Sequence, residues 1–123
     1  MRVYIAGPMT GLPDDNHPAF NDMEQRLLAF GFAPINPARN FGGQKDLNRA
    51  EVMRFDLAML LQCEAIVFLP GWQESSGASV EHAVAAQLGL EELRWGGHSE
   101  GLFSCGPMEH YRVDVAHCHA GVH

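Results

Sequence analysis

The run Ala65-Ile66-Val67-Phe68-Leu69 is short, continuous, apolar and partly β-branched, the pattern of a strand covered on both faces in the middle of a parallel sheet. A chain with such a strand needs helices on both sides of it. A second strand of this kind opens the chain, where Arg2-Val3-Tyr4-Ile5-Ala6 runs into the loop Gly7-Pro8-Met9-Thr10-Gly11. Ligands of open α/β sheets bind outside the carboxyl ends of the strands. The junctions after Ile5 and after Leu69 are therefore expected on one edge of the sheet, facing one crevice.

Helical patterns fill the gaps between these strands. Phe20, Met23, Leu27, Leu28 and Phe30 are spaced for one face of a helix over residues 18–30, with Gly31 as its C-cap. Phe32 to Pro37 reads as a short second strand, placed at an edge by its prolines. The stretch from Asn40 to Asp46 reads as a flexible loop able to fold over the crevice, and Asn48 then caps a helix over residues 49–62. Val52, Phe55, Met59 and Leu60 form the apolar face of that helix, with Asp56 at its margin. A third helix over residues 77–88 ends at Gly89, and Leu90 to Trp95 supply a fourth strand. Its small residues Ala78, Ala83, Ala85 and Ala86 allow close approach to the sheet or to a partner helix. The expected fold is α/β: a flavodoxin-like or Rossmann-like three-layer sandwich around a parallel sheet of four to five strands in the order 2-1-3-4-5. One domain over residues 1–95 accounts for these patterns. The tail over residues 96–123 holds neither helical nor strand periodicity for long.

The segment Ser75-Ser76-Gly77-Ala78-Ser79-Val80-Glu81 carries the clearest chemistry. Serine hydroxyls and backbone amides at a helix N-terminus suit an anion, and Glu81 places a carboxylate in the first turn of an otherwise apolar helix. The same residues also read as a serine cap followed by a favourable first-turn acid. Tyr4 alternates with Val3 and Ile5, so its phenol can reach a polar partner from within the strand; a core aromatic with a hydrogen-bonded tip is the other reading. Asp56 likewise reads either as a site residue or as a solvated charge. Arg39, Arg49 and Arg54 lie before and within the second helix, where one can reach a phosphate and all can equally be surface charges.

Together these residues resemble the nucleoside 2-deoxyribosyltransferase-like superfamily, including its nucleotide N-glycosidase members and a short, often phage-associated branch. The likeness covers residues 1–95 and rests on Val3-Tyr4-Ile5-Ala6-Gly7-Pro8-Met9, on Phe55-Asp56-Leu57, and on the turn from Ser75 to Glu81 followed by His82-Ala83-Val84-Ala85. It implies that Glu81 is the nucleophile at the anomeric carbon of a sugar, that Tyr4 orients it, and that Asp56 lies at the base end of the site. Gly7, Pro8, Met9, Ser75, Ser76 and Gly77 are then the substrate-binding set. The transferase branch carries an Asp six residues before the nucleophile, whereas this chain has Ser75. The monophosphate N-glycosidase branch has a Ser there that contacts the 5′-phosphate, which favours a nucleotide over a nucleoside. Glu74, next door, restores an acid if the loop is shifted by one residue.

The implied activity is cleavage or transfer at the N-glycosidic bond of a nucleoside 5′-monophosphate or nucleoside, by an N-glycosidase or a deoxyribosyltransferase without a cofactor or metal. The alternative is a non-catalytic nucleotide-binding or sensing module on the same fold. A formal charge of −7 over 123 residues argues against polymeric nucleic acid or an anionic membrane as partner. No apolar stretch approaches the roughly 18 residues of a membrane span. Cys63, Cys105 and Cys118 are odd in number and lack a CxxC pair, so a reducing cytoplasm is expected. His110, His117, Cys118, His119 and His123 match no usual zinc spacing. The small-residue helix, the short chain and the family habit lead us to expect a homo-oligomer, a dimer.

Overall fold

The computed structural model describes residues 1–43 and 48–109, with the backbone alone at 41–43. Its elements run β1 (Arg2–Ala6), α1 (His17–Ala29), β2 (Ala33–Ile35), a 3-10 turn (Pro37–Gly43), α2 (Arg49–Leu60), β3 (Ala65–Phe68), α3 (Ser76–Leu88), β4 (Glu91–Trp95), α4 (Gly97–Glu100) and β5 (Leu102–Pro107). The sheet order is β2-β1-β3-β4-β5, as expected from the sequence.

Register follows from burial. Tyr4 pairs with Ile66 and Ile5 with Val67 across the β1–β3 ladder, so the two runs stand side by side at the centre and bury both faces. Side-chain parity then sorts each strand between two cores. Val3, Ile5, Ala65, Val67 and Leu93 pack under α1 with Phe20, Met23 and Leu27. Tyr4, Ala6 and Ile66 face the opposite layer, against Leu60 of α2 and Ala85 of α3. This parity sends the Tyr4 side chain toward α3, the helix that carries Glu81.

Three expectations need correction. The first four strands are parallel, but β5 runs antiparallel to β4. Only the segment Gly96 to Gly101 joins them, and a parallel return needs a crossover of roughly a dozen residues or more. Phe55 does not belong to the buried face of α2: it is 47 % exposed, and Leu60 is the buried residue of that helix. Its aromatic ring points outward because the inner stripe is taken by Val52, Asp56 and Met59, all half-buried. Glu81 lies in the second turn of α3, because the helix starts at Ser76.

The expected caps are present. Asn48 Oδ1 accepts from the amides of Ala50 and Glu51 at 2.7 and 3.3 Å, Ser75 Oγ accepts from Ala78 N at 3.2 Å, and Gly89 closes α3 in the left-handed conformation. Residues 44–47 of the expected loop, and the histidines and Cys118 of the tail, lie outside the described residues. Among the described residues no helix is long and apolar enough to cross a membrane.

Candidate active site

The carboxyl ends of β1 and β3 open onto a cleft of about 750 Å³, bounded by the β1–α1 loop, the first two turns of α2 and the N-terminal half of α3. Gly7, Pro8, Met9, Ser75, Ser76, Gly77, Asp56 and Glu81 all border it. Tyr4 lies beneath its floor, fully buried. The residues singled out in the sequence therefore converge on one place, although they come from three separate segments.

Local constraints explain the shape. At Gly7 the backbone passes so near the end of β3 that a Cβ would sit 2.7 Å from Leu69 Cβ, too close for any side chain, so only glycine lets the chain leave β1 along this path. The loop then turns through Asp14, Asp15 and Asn16, which all adopt positive φ, and Asn16 Nδ2 donates to Pro8 O at 2.9 Å. That bond ties the far end of the loop back to the crevice. Left-handed geometry at three successive non-glycine residues is rare enough to mark a constrained segment.

Glu81 occupies the core stripe of α3, between Ala78 and Ala85, and is only 6 % exposed. Two small neighbours at helical spacing leave room for it where a core residue would ordinarily be apolar. The Tyr4 hydroxyl donates to Glu81 Oε2 at 2.6 Å, leaving Oε1 for the cleft. Burial pushes the Glu81 carboxyl up to about 7; the Tyr4 bond opposes that shift and the negative charge of Asp56 adds to it. Burial also lifts Asp56 to about 6, against the pull of a hydrogen bond from Asn40. The Tyr4 phenol is raised far above its ordinary range by burial and then by the charges of Glu81 and Asp56, so it stays protonated and acts as a donor. The arrangement pairs an oriented, buried carboxyl with a second carboxyl in the same cleft, and both titrate close to neutrality.

At the other end of the cleft the N-termini of α2 and α3 meet. Arg49 Nη2 donates to Ser76 Oγ, and Arg49 is the cation bordering the cleft among the described residues. Arg39 is engaged elsewhere, in a two-pronged pair with Glu24 at 2.7 Å. Ser75 serves as the α3 cap, as its alternative reading held, and still borders the cleft; Glu74 borders it too. Sequence reasoning did not identify Asn40, whose Nδ2 donates to Asp56 Oδ1 at 2.9 Å. The only sequence signal was its place in the loop before α2. Among the described residues no group of three His, Cys, Asp or Glu side chains is placed to hold a metal ion.

Similar structures exist. A 2-deoxyribosyltransferase from Bacillus psychrosaccharolyticus superimposes with a TM-score of 0.62 at 17 % identity, over 76 % of this chain and 71 % of that one. A 2-desoxiribosyltransferase from Leishmania mexicana gives 0.59 at 17 % identity, over 98 % of this chain and 97 % of that one. No curated protein sequence matches the chain. The fold is therefore that of the deoxyribosyltransferases. The model of the domain of unknown function DUF4406 matches residues 1–93, three quarters of the sequence, and the chain belongs to that family.

Proposed function

We propose that this protein cleaves or transfers at the N-glycosidic bond of a nucleoside 5′-monophosphate or nucleoside, with Glu81 as nucleophile. The reading rests above all on the buried Tyr4–Glu81 hydrogen bond, which aims one carboxylate oxygen into a cleft shared with Asp56. The family likeness and the deoxyribosyltransferase fold add to it.

In this mechanism Glu81 Oε1 attacks the anomeric carbon, the C–N bond breaks, and the departing base takes a proton from Asp56. Water or a second base then displaces Glu81 and receives the glycosyl group, giving its proton to the Asp56 carboxylate, which restores both groups. The division of labour is that of retaining glycosidases. It requires Glu81 ionised and Asp56 protonated; burial holds both carboxyls near neutrality, at about 7 and about 6, so the pair can share one proton there.

A nucleotide is the favoured ligand within this reading. Arg49, Ser75, Ser76 and the α3 amides offer donors at the end of the cleft away from Asp56. The protein acts as a homodimer in a cytoplasm, without a cofactor.

Incubation with a panel of nucleosides and nucleoside 5′-monophosphates, followed by chromatography for free base, tests the proposal. Base release is expected from the wild type, with Glu81→Gln folded, still able to bind, and slower by about a thousandfold or more, as when an attacking group is lost. Tight binding without base release in the wild type identifies instead a nucleotide-binding or sensing module.

A further inference from the structure

We propose that Asn40 is a positioning residue of this cleft: by donating to Asp56 Oδ1 it confines the proton of a neutral Asp56 to Oδ2, the oxygen left to meet a ligand. The inference deepens the glycosidic reading and rests on it for its catalytic consequence. Its geometric part stands separately. The Asn40 amide faces two acceptors, Asp56 Oδ1 at 2.9 Å and the Met59 thioether at 3.4 Å. Neither has a proton to give when Asp56 is ionised, so the NH₂ end of the side chain must be the end that points at them. An oxygen that accepts from an amide is the carbonyl-type oxygen of the acid form, and the proton goes to the other.

The support for Asn40 extends beyond its own turn. The 3-10 turn that carries it begins just after Asn36, a buried residue whose Oδ1 accepts from Ala38 N at 2.9 Å and whose Nδ2 donates to Glu24 at 2.8 Å. Glu24 of α1 also holds Arg39, the residue before Asn40. Three side-chain bonds to Glu24 of α1 therefore hold the chain just before Asn40. With Asn40 anchored in this way, Asp56 keeps one rotamer, and a proton handed to a leaving base comes from one direction. Among the described residues, Tyr4 of β1 and Glu81 of α3 interact electrostatically with Asp56, and Arg49 of α2 and Glu74 of the loop before α3 border the same cleft farther off. The donor to Oδ1 is Asn40.

Carboxyl-carbon NMR titration of Asp56 in wild type, Asn40→Leu, Asn40→Asp and Asn40→Gln decides the geometric part. Loss of a charge-assisted donor should move the Asp56 midpoint up by about one pH unit in Asn40→Leu and further in Asn40→Asp, with Asn40→Gln moving back toward wild type. Circular dichroism confirms that each variant is folded, and a midpoint unchanged in folded Asn40→Leu overturns the proposal. In the base-release assay the alkaline limb of the pH–rate profile should move up with the Asp56 midpoint while the maximum rate of Asn40→Leu falls about tenfold with KM little changed. A maximum rate equal to wild type also overturns it. If the wild type releases no base from any substrate, the glycosidic reading has failed, and the titration still decides whether Asn40 holds Asp56.

Discussion

Glu81 sits at a position where helix geometry asks for an apolar residue, and its cost to the fold is measurable. The folded protein holds the Glu81 proton up to about pH 7, against 4.5 for the ordinary side chain, so between those values the native state binds more protons than the unfolded chain. Stability contributed by the neutral acid is therefore full below about pH 4.5 and falls as pH rises through 7. A rise of this size corresponds to a loss on the order of 3 kcal/mol at pH 8. Glu81→Gln keeps an acceptor for Tyr4 and carries no charge. It should melt well above the wild type at pH 8, with the gap closing near pH 4.5; equal melting temperatures at pH 8 would show that Glu81 is not desolvated in solution. Tyr4 and Glu81 were legible as a pair because strand parity and the family motif both mark them. Asn40 was not, since its partner is sixteen residues away and nothing in a loop of mixed composition reveals where one amide points.

At the scale of elements the cleft is a meeting of three ends: the carboxyl end of the paired strands β1 and β3, and the N-termini of α2 and α3. The helices bring amides and the Arg49–Ser76 contact to one end, with Asp56, one helical turn and more beyond Arg49, at the other. An anionic group on a ligand is therefore drawn away from the two carboxyls. Arg49→Ala should weaken nucleoside monophosphates by about tenfold, the value of one charge-assisted contact, and leave the matching nucleosides unchanged. Ser75→Asp, which keeps a helix cap but adds a negative charge, should discriminate in the same sense. Calorimetric titration of both ligand classes into a Glu81→Gln background reads this out, and equal affinity for the two classes in the parent assigns the sugar end to Glu74 instead. The helices and the first four strands were readable from periodicity and caps. The fifth strand was not: Leu102 to Pro107 contains two glycine-or-proline positions and exposed Phe103, Ser104 and Cys105, so it shows no inward-facing alternation and is held by its ladder to β4.

The whole molecule leaves one layer with an unusually apolar exterior. The outward faces of α2 and α3 carry Ala58, Leu61, Val80, Ala83 and Leu88, all exposed, with Val80 at 42 % and Leu61 at 59 %. Charged residues on these faces are confined to the first half of α2, at Glu51 and Arg54. By contrast, the small residues Ala78, Ala85 and Ala86 are buried within the chain itself, so that part of the small-residue stripe serves the helix–sheet contact and cannot also serve a partner. An apolar helical layer of this kind is ordinarily covered, and a second copy related by a two-fold axis covers it with the same surface on both sides. Light scattering at micromolar concentration should accordingly give twice the 13.5 kDa of one chain. Val80→Glu and Leu61→Glu, which place charge at the centre and rim of the layer, should return the mass to that of one chain while circular dichroism stays unchanged. Because the same helices carry Asp56 and Glu81 on their inner faces, the monomeric variants should also release base more slowly. A wild type with the mass of a single chain, or charge variants that stay dimeric, would move the interface away from α2 and α3.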